Sequence, residues 1–158
     1  MANNFERMLD VVNAAFDTRN DPDQVSVDEE QRERLEAIDD NTLTEVANED
    51  GPIVWILMIP TTDEIKDKFI SGNITEKQLL LETMPGEKYT ALYLCSASVL
   101  PEFRNKGLAK KATTEAITAI RKKHPITSLL YWPFSEEGKL LAQSVAKEQG
   151  LPLFVKAD

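Results

Sequence analysis

Residues 91–123 decide the fold, and they read ALYLCSASVLPEFRNKGLAKKATTEAITAIRKK. The first ten residues, 91–100, are apolar or small and contain neither Gly nor Pro, which predicts a strand buried on both faces. Pro101 ends this strand. From Leu108 onward, apolar side chains recur at the spacing of an amphipathic helix. They are Leu108, Ala112, Ala116, Ile117 and Ile120. The segment therefore predicts a strand, a short turn and a helix with one buried side.

The turn between strand and helix, residues 102–107, has the parts of an anion-binding site. The first N–H groups of a helix have no intrahelical partner and lie at the positive end of its dipole, so they attract an anion. Gly107 removes a Cβ where a ligand would come closest, and Asn105 tolerates a left-handed backbone. The cations around the turn are Arg104, Lys106, Lys110 and Lys111. We expect a ligand that carries phosphate groups.

The pattern Val99-x-Pro101-x-x-Arg104-x-x-Gly107-Leu108-Ala109 resembles the acyl-CoA signature of the GNAT superfamily of N-acetyltransferases. That signature is written (Arg/Gln)-x-x-Gly-x-(Gly/Ala), and it follows a strand and opens a helix. The resemblance extends to about residue 151 and covers somewhat less than half of the chain. It implies acetyl-CoA as cosubstrate, with its pyrophosphate on the amides of residues 104–109 and an oxyanion-stabilising strand amide near Val99. The candidate CoA-binding residues are Val99, Arg104, Asn105, Lys106, Gly107, Leu108, Ala109, Lys110 and Ser135.

The resemblance also implies the architecture, which is a single GNAT-like α/β (α+β) domain. We expect a mixed, mainly antiparallel central sheet flanked by helices, with N-terminal helices and a helical insertion before the motif strand. The family's motif strand and the next strand splay apart, and the pantetheine arm of CoA lies in the gap. An apolar wall for that arm would come from Tyr131, Trp132, Pro133 and Phe134, although ordinary core packing explains these side chains equally well.

Composition limits the classes of partner. The 158 residues suit one domain with one core. Asp and Glu number 27 against 18 Lys and Arg, and the net charge of −9 disfavours nucleic acid and anionic membranes but favours a cationic partner. The single Cys excludes an internal disulfide, and the longest apolar run, residues 53–59, is too short to cross a bilayer. Residues 1–4 lack the basic start of an export signal. We therefore predict a cytoplasmic protein.

Local patterns predict the remaining elements. The N-terminal helix, residues 4–17, should bury one face, and a capping box at Ser26 and Glu29 starts a second helix over residues 27–38. The apolar face of the N-terminal helix comprises Phe5, Met8, Leu9, Val12 and Phe16. Strands 43–47 and 53–59 flank a five-residue turn, which indicates a hairpin.

Two further capping boxes, Thr61-x-x-Glu64 and Thr75-x-x-Gln78, predict the inserted helical pair over residues 63–82. Many GNAT members have a short turn there. The pair would be either a lid over the acceptor site or a cover for the sheet.

The C-terminal part is predicted to contain a strand at residues 127–132 and a helix at 136–149. Ser135 should cap that helix, and Gly150 should end it. The last strand, residues 153–155, would leave an open edge, so we expect either a homodimer that covers the edge or protection by the inserted helices.

Attack of an alkyl amine on a thioester requires a neutral amine, which costs about 4.6 kcal/mol at pH 7. The strand position that holds a catalytic Glu in histone-acetylating members holds Tyr93 here, which either relays a proton through water or packs in the core. The position of the family's general-acid Tyr holds Ala146. Glu82, Glu87 and Glu102 remain possible bases.

Cys95 is interpreted as a buried structural thiol, and His124 as a complement to a helix dipole. No pattern indicates a metal site.

The resemblance makes an N-acetyltransferase the leading hypothesis. Acidic residues dominate the half N-terminal to the motif, which favours a small or side-chain primary amine as its acceptor. The alternative is a CoA-binding module without catalytic activity, which the missing Glu and Tyr make plausible. An unrelated nucleotide binder is less well supported, because the chain has no Walker Lys-Ser/Thr pair and no Gly-x-Gly-x-x-Gly motif.

Overall fold

The computed structural model describes residues 3–19, 29–133 and 135–156. Within them lie six α-helices and one five-stranded sheet. The helices are α1 (Asn4–Arg19), α2 (Glu29–Ile38), α3 (Asp63–Ile70), α4 (Glu76–Glu82), α5 (Leu108–Lys123) and α6 (Glu136–Gln149). The strands are β1 (Leu43–Asn48), β2 (Gly51–Thr61), β3 (Ala91–Val99), β4 (Ser128–Tyr131) and β5 (Leu153–Val155). The predictions for Ser26, Val27, Phe134 and the side chain of Phe16 lie outside the described residues.

The sheet is mixed, as predicted, and its strands follow chain order from β1 to β5. β1 pairs with β2, and β2 with β3, in antiparallel fashion. β3 pairs with β4, and β4 with β5, in parallel fashion. The connecting helices α5 and α6 each return the chain to the end of the sheet at which the preceding strand began. The two orientations are thus equally frequent, and the expected antiparallel majority is not confirmed.

The elements of the C-terminal half have bounds within one residue of those that local patterns predict. α5 buries Ala112, Ala116, Ile117 and Ile120. The Ser135 hydroxyl caps α6 by accepting a bond from the Gly138 N–H at 3.0 Å, and Gly150 ends α6 with a left-handed backbone, φ 69°. These features are confirmed because each depends on residues close together in the chain.

Three predictions for the N-terminal half are wrong in detail. The turn between β1 and β2 contains only two residues rather than five, because the Asn48 side chain accepts the Asp50 N–H at 2.9 Å and lets both strands run further. The cap of α3 is Thr62 rather than Thr61, which belongs to β2. α1 buries Met8 but leaves Phe5 49% and Leu9 38% exposed, since only a narrow stripe of this helix meets the sheet.

The inserted helices α3 and α4 pack on the sheet. The hydroxyls of Thr61 in β2 and Thr83 after α4 lie 2.7 Å apart, and both residues are buried. The Arg34 guanidinium in α2 donates to the backbone carbonyls at the end of α4, including Leu80 at 3.0 Å. Phe69 of α3 is fully buried against the sheet. Covering the sheet is therefore one role of the insertion.

β5 is the edge of the sheet as far as the structure describes it. Phe154 is 40% exposed, and the Lys66 ammonium of α3 lies 4.1 Å from the centre of its ring. This contact involves a side chain and not the strand backbone, so protection of the edge by the insertion and the homodimer both remain predictions. Among the described residues, no helix combines the length and the apolar character that crossing a bilayer requires.

His124 does more than complement a helix dipole. It is the C-cap of α5, and its Nε2 lies 2.8 Å from the Asp39 carboxylate just beyond the end of α2. Lys123 adds an ion pair to the same carboxylate at 3.1 Å. Burial raises the pKa of the Asp39 carboxyl, but the hydrogen bonds from the Asn41 N–H, His124 and Lys123 outweigh it and hold this pKa below its ordinary value. The cluster joins two helix ends that lie far apart in the chain.

Candidate functional site

The strands β3 and β4 pair over a short segment only, because β4 ends early. Their register joins Ala91 to Ser128, Leu92 to Leu129 and Tyr93 to Leu130, and β4 ends one residue later. β3 continues to Val99, so residues 94–99 keep β2 on one side and have a gap on the other. The expectation that β3 is buried throughout is therefore wrong for its second half. Residues 91–93 are buried, whereas Ser96 and Ala97 are exposed.

Backbone groups of β3 face this gap. The Leu100 N–H donates to the Ile53 carbonyl at 3.0 Å, so the next pair, Val54 and Val99, is a non-hydrogen-bonded pair of the antiparallel ladder. The N–H and C=O groups of Val99, and by alternation those of Ala97, point away from β2 and toward the gap. The Val99 carbonyl accepts a bond from Nε of Arg104 at 3.0 Å. The Val99 and Ala97 N–H groups can therefore donate hydrogen bonds to an extended, polar ligand.

A bulge bends β3 beside the gap. Leu57 is opposite Ser96 while Met58 is opposite Leu94, so Cys95 is the extra residue on β3. Cys95 is half-buried and lines the gap. The prediction of a buried thiol is therefore wrong, because the residue lies where β3 has lost β4 as a neighbour.

The turn before α5 has left-handed backbone at two positions. Asn105 has φ 62°, and Gly107, the N-cap of α5, has φ 76°. Gly107 supplies no side-chain cap, and the first helical bond runs from the Lys111 N–H to the Gly107 carbonyl at 3.0 Å. The amides of residues 108–110 thus point out of the helix end. A Cβ on Gly107 would have no described protein atom within 4 Å, so this side of the turn is open to a ligand.

The gap and the turn belong to one cleft of about 700 Å³. The predicted CoA-binding residues that line it are Val99, Arg104, Asn105, Gly107, Leu108, Ala109, Lys110 and Ser135. Lys106 is exposed and is not among the lining residues. Tyr131 and Trp132 form part of the opposite wall, as expected for an apolar arm, whereas Pro133 does not line it.

Several polar groups around the turn already have partners. The Ser135 hydroxyl is used in capping α6, and Lys110 forms an ion pair with Glu148 at 3.3 Å. Lys110 and Glu148 also line a shallower hollow of about 400 Å³ that adjoins the turn at Gly107. By contrast, Thr113 in the cleft wall has a buried hydroxyl without a hydrogen-bond partner among the described residues.

An ion pair connects α1 to the turn. The Arg7 guanidinium donates to both oxygens of the Glu102 carboxylate, at 2.5 and 2.7 Å. The hydrogen bond from Arg7 holds the pKa of the Glu102 carboxyl below its ordinary value. Glu102 therefore joins α1 to the turn, and it is not among the described residues that line the cleft.

The catalytic candidate Tyr93 does not face the cleft. It is fully buried, its ring packs edge-on to Phe69 at 5.0 Å, and its hydroxyl donates to the carboxylate of Glu76. Glu76, the first residue of α4, lines the cleft. The proton of the Tyr93 hydroxyl is thus directed at a carboxylate that itself borders the site.

Glu76 was not among the bases that the sequence suggested. Glu82 pairs with Lys68 at 3.5 Å, Glu102 pairs with Arg7, and Glu87 is exposed. None of these three is among the described residues that line the cleft. The capping box at Thr75 correctly predicted a helix that starts at Glu76, but no local pattern indicates that this helix start meets β3.

The described residues contain no group of three or more His, Cys, Asp or Glu side chains that could hold a metal ion. The site is thus an open cleft beside residues 94–99 of β3, beyond the end of β4, with a helix N-terminus at one end and a carboxylate at the other. No protein-family model matches the chain, and no curated protein matches it either.

Proposed function

We propose that the chain is a GNAT-like N-acetyltransferase that transfers the acetyl group of acetyl-CoA to a primary amine. One observation carries the proposal: the gap between β3 and β4 opens onto the uncapped N-terminus of α5. An extended thioester with phosphate groups at one end fits such a site. The helix N-terminus can bind the phosphates, and the backbone groups of β3 can hydrogen-bond the rest of the molecule.

The phosphate end would lie at the turn. The amides of residues 108–110 and the positive end of the α5 dipole favour an anion, and the left-handed Gly107 lets it approach the backbone closely. Lys110 and Lys111 line the adjoining hollow and would bind a further phosphate.

The pantetheine arm would lie along β3. Its amides can pair with the backbone groups of Ala97 and Val99, which face the gap. From Val99 to Tyr93 the strand covers about 20 Å at ~3.3 Å per residue, a length suited to an extended pantetheine arm. The thioester would then lie where the strands meet, near Trp132 and Glu76.

The reaction needs few groups from the protein. The neutral amine attacks the thioester carbonyl, the oxyanion is stabilised by a backbone amide of β3, and the C–S bond breaks with its electron pair on sulfur. A thiol with a pKa near 8.5 leaves readily at neutral pH, so no strong general acid is required at the position of Ala146. The acceptor would be a small or side-chain primary amine, and the setting would be the cytoplasm.

Two measurements on the same preparation test this proposal. Calorimetric titration with acetyl-CoA should show binding, and a thiol-release assay should show turnover with at least one amine from a panel of polyamines, lysine peptides and aryl-alkyl amines. Binding without turnover on any amine would favour the catalytically silent CoA module. Binding of ATP as tight as that of acetyl-CoA would favour the unrelated nucleotide binder.

A further inference from the structure

The inserted helix pair brings a buried carboxylate to the closed end of the cleft. Glu76 is 3% exposed, yet it lines the cleft together with Leu94 and Trp132. Burying a carboxylate is costly unless it is hydrogen-bonded, and the Tyr93 hydroxyl supplies such a bond. A buried acid at the border of a ligand cleft is a candidate for chemistry rather than for stability alone.

The position of Glu76 coincides with the point where the two strands part. Tyr93 is the last residue of β3 that pairs with β4, and its hydroxyl donates to Glu76. The ring of Tyr93 is fixed by its edge-on contact with Phe69. The Glu76 carboxylate therefore lies beside the end of the gap that is farthest from the turn at Gly107.

The helix that carries Glu76 is held at both ends. At its start, the Thr75 hydroxyl accepts the Gln78 N–H at 3.1 Å, and the Gln78 side chain accepts the Thr75 N–H at 2.8 Å. At its other end, the Thr83 hydroxyl contacts the Thr61 hydroxyl, and Arg34 binds the nearby carbonyls. A base is effective only when its position is fixed in this way.

Two lysines on neighbouring elements contact side chains around β4. The Lys156 ammonium lies 4.8 Å from the centre of the Trp132 ring and 5.6 Å from that of Phe69. Lys66 of α3 is buried, and its ammonium lies 3.4 Å from the Ser128 hydroxyl on β4. Lys156 therefore contacts the cleft wall at Trp132.

We infer that Glu76 is the general base of the proposed acetyl transfer and that Tyr93 positions it. This inference rests on the proposed function. The acceptor R–NH3⁺ would bind with its ammonium at the Glu76 carboxylate and give one proton to it. The resulting R–NH2 attacks the thioester carbon, CoA leaves as the thiolate, and the thiolate takes the second amine proton. Glu76 then returns its proton to water, so that the products are the amide, CoA thiol and one H⁺.

The test compares two acceptors that differ in basicity but not in shape. The first is the primary alkyl amine of the panel that the wild-type protein acetylates fastest, and the second is its alkoxyamine analogue, in which oxygen replaces the CH2 next to nitrogen. The alkoxyamine is neutral at pH 7, so it needs no base before it attacks. Kinetics are measured for wild type, Glu76→Gln, Glu76→Asp, Tyr93→Phe and the control Glu82→Gln, a change on the same helix away from the cleft.

We expect Glu76→Gln to lower kcat for the alkyl amine by about 10²–10⁴-fold while KM for acetyl-CoA stays within a factor of about three. With the alkoxyamine as acceptor, kcat of the Glu76→Gln variant should fall by less than about tenfold. Glu76→Asp should retain part of the alkyl-amine activity that Glu76→Gln loses. Tyr93→Phe should lose less activity than Glu76→Gln, again more with the alkyl amine than with the alkoxyamine. Glu82→Gln should behave as wild type.

An equal loss with both acceptors would mean that Glu76 has only a structural role, and unchanged kinetics would mean that it has none; either result overturns the inference and leaves the proposed function intact. Absence of wild-type turnover on every amine, with acetyl-CoA still bound, would instead overturn the proposed function and this inference together.

Discussion

Asn105 and Gly107, separated only by Lys106, both have left-handed backbone, with φ of 62° and 76°. This pair of conformations turns the chain sharply between the short helical turn Pro101–Phe103 and the first residue of α5. It leaves the outward amides of the helix start facing the cleft rather than a side-chain cap. The proposed phosphate site therefore depends on two residues whose backbone conformations most other side chains disfavour.

Replacing Gly107 by Val should abolish acetyl-CoA binding, because the new side chain would occupy the open space that the phosphates need. The positive φ adds a strain of about 1–2 kcal/mol, so the free energy of unfolding should fall by a similar amount. Calorimetric titration and urea unfolding measure the two effects. Gly86→Val is the matched control, since Gly86 has φ 81° and an equally open Cβ position but lies outside the cleft. Equal affinities of the two variants would contradict the placement of the phosphates.

Alkylation of Cys95 should compete with acetyl-CoA. Cys95 is the only Cys of the chain, and it lines the cleft on the bulge of β3. Intact-mass measurement after treatment with N-ethylmaleimide should show one adduct, and the adduct should abolish binding because it blocks the path of the pantetheine arm. Saturating acetyl-CoA should slow the reaction at least several-fold. Alkylation that proceeds at the same rate with and without acetyl-CoA would argue against a ligand along β3.

The Asp39 cluster should make stability depend on pH. Because the pKa of Asp39 is lowered in the folded protein, its ionised form stabilises the fold above the unfolded pKa, near 3.8, and this contribution is lost as pH falls through the folded pKa. Asp39→Asn should reduce the free energy of unfolding at pH 7 by about 1–3 kcal/mol, since His124 and Lys123 lose a charged partner. Urea unfolding at pH 7 and at pH 3 should show the difference between wild type and variant shrinking at the lower pH. A difference that is the same at both pH values would exclude this linkage.

Cationic acceptors should be preferred, and added salt should weaken that preference. The chain carries a net charge of −9, although some of its acidic groups are paired, such as Asp63 with Lys66 and Glu64 with Lys68. A field from solvent-exposed charges is screened by salt, whereas an ion pair with the buried Glu76 would be screened much less. Values of kcat/KM for spermidine, a lysine peptide and the same peptide flanked by Glu residues, at low and high salt, measure both contributions. Higher kcat/KM for the acidic peptide at low salt would contradict the charge argument.

The parts of the site that were predicted from the sequence are those made by neighbours in the chain. The strand, the turn with Gly107 and the helix after it are encoded within residues 91–123, so their order and approximate bounds could be inferred. The same holds for the caps at Thr75 and Ser135, where a side chain bonds to an amide three residues away.

The parts that were missed depend on contacts between distant segments. Glu76 reaches Tyr93 only because the insertion folds back on the sheet, and Asp39 meets His124 across 85 positions of the chain. The apolar and small residues of β3 indicated burial throughout. They could not show that β4 ends at Tyr131 and leaves residues 94–99 beside a gap.

Amide hydrogen exchange at single-residue resolution, recorded with and without acetyl-CoA, would report where the ligand lies on the protein. We predict slower exchange at Ala97 and Val99, which face the gap, and at residues 108–110, which begin α5 without a side-chain cap. Amides of the β1–β2 hairpin around Asn48 should be unchanged and serve as the internal control. Protection that appears elsewhere in the chain, with Val99 and residues 108–110 unaffected, would contradict the proposal that acetyl-CoA lies between β3 and β4.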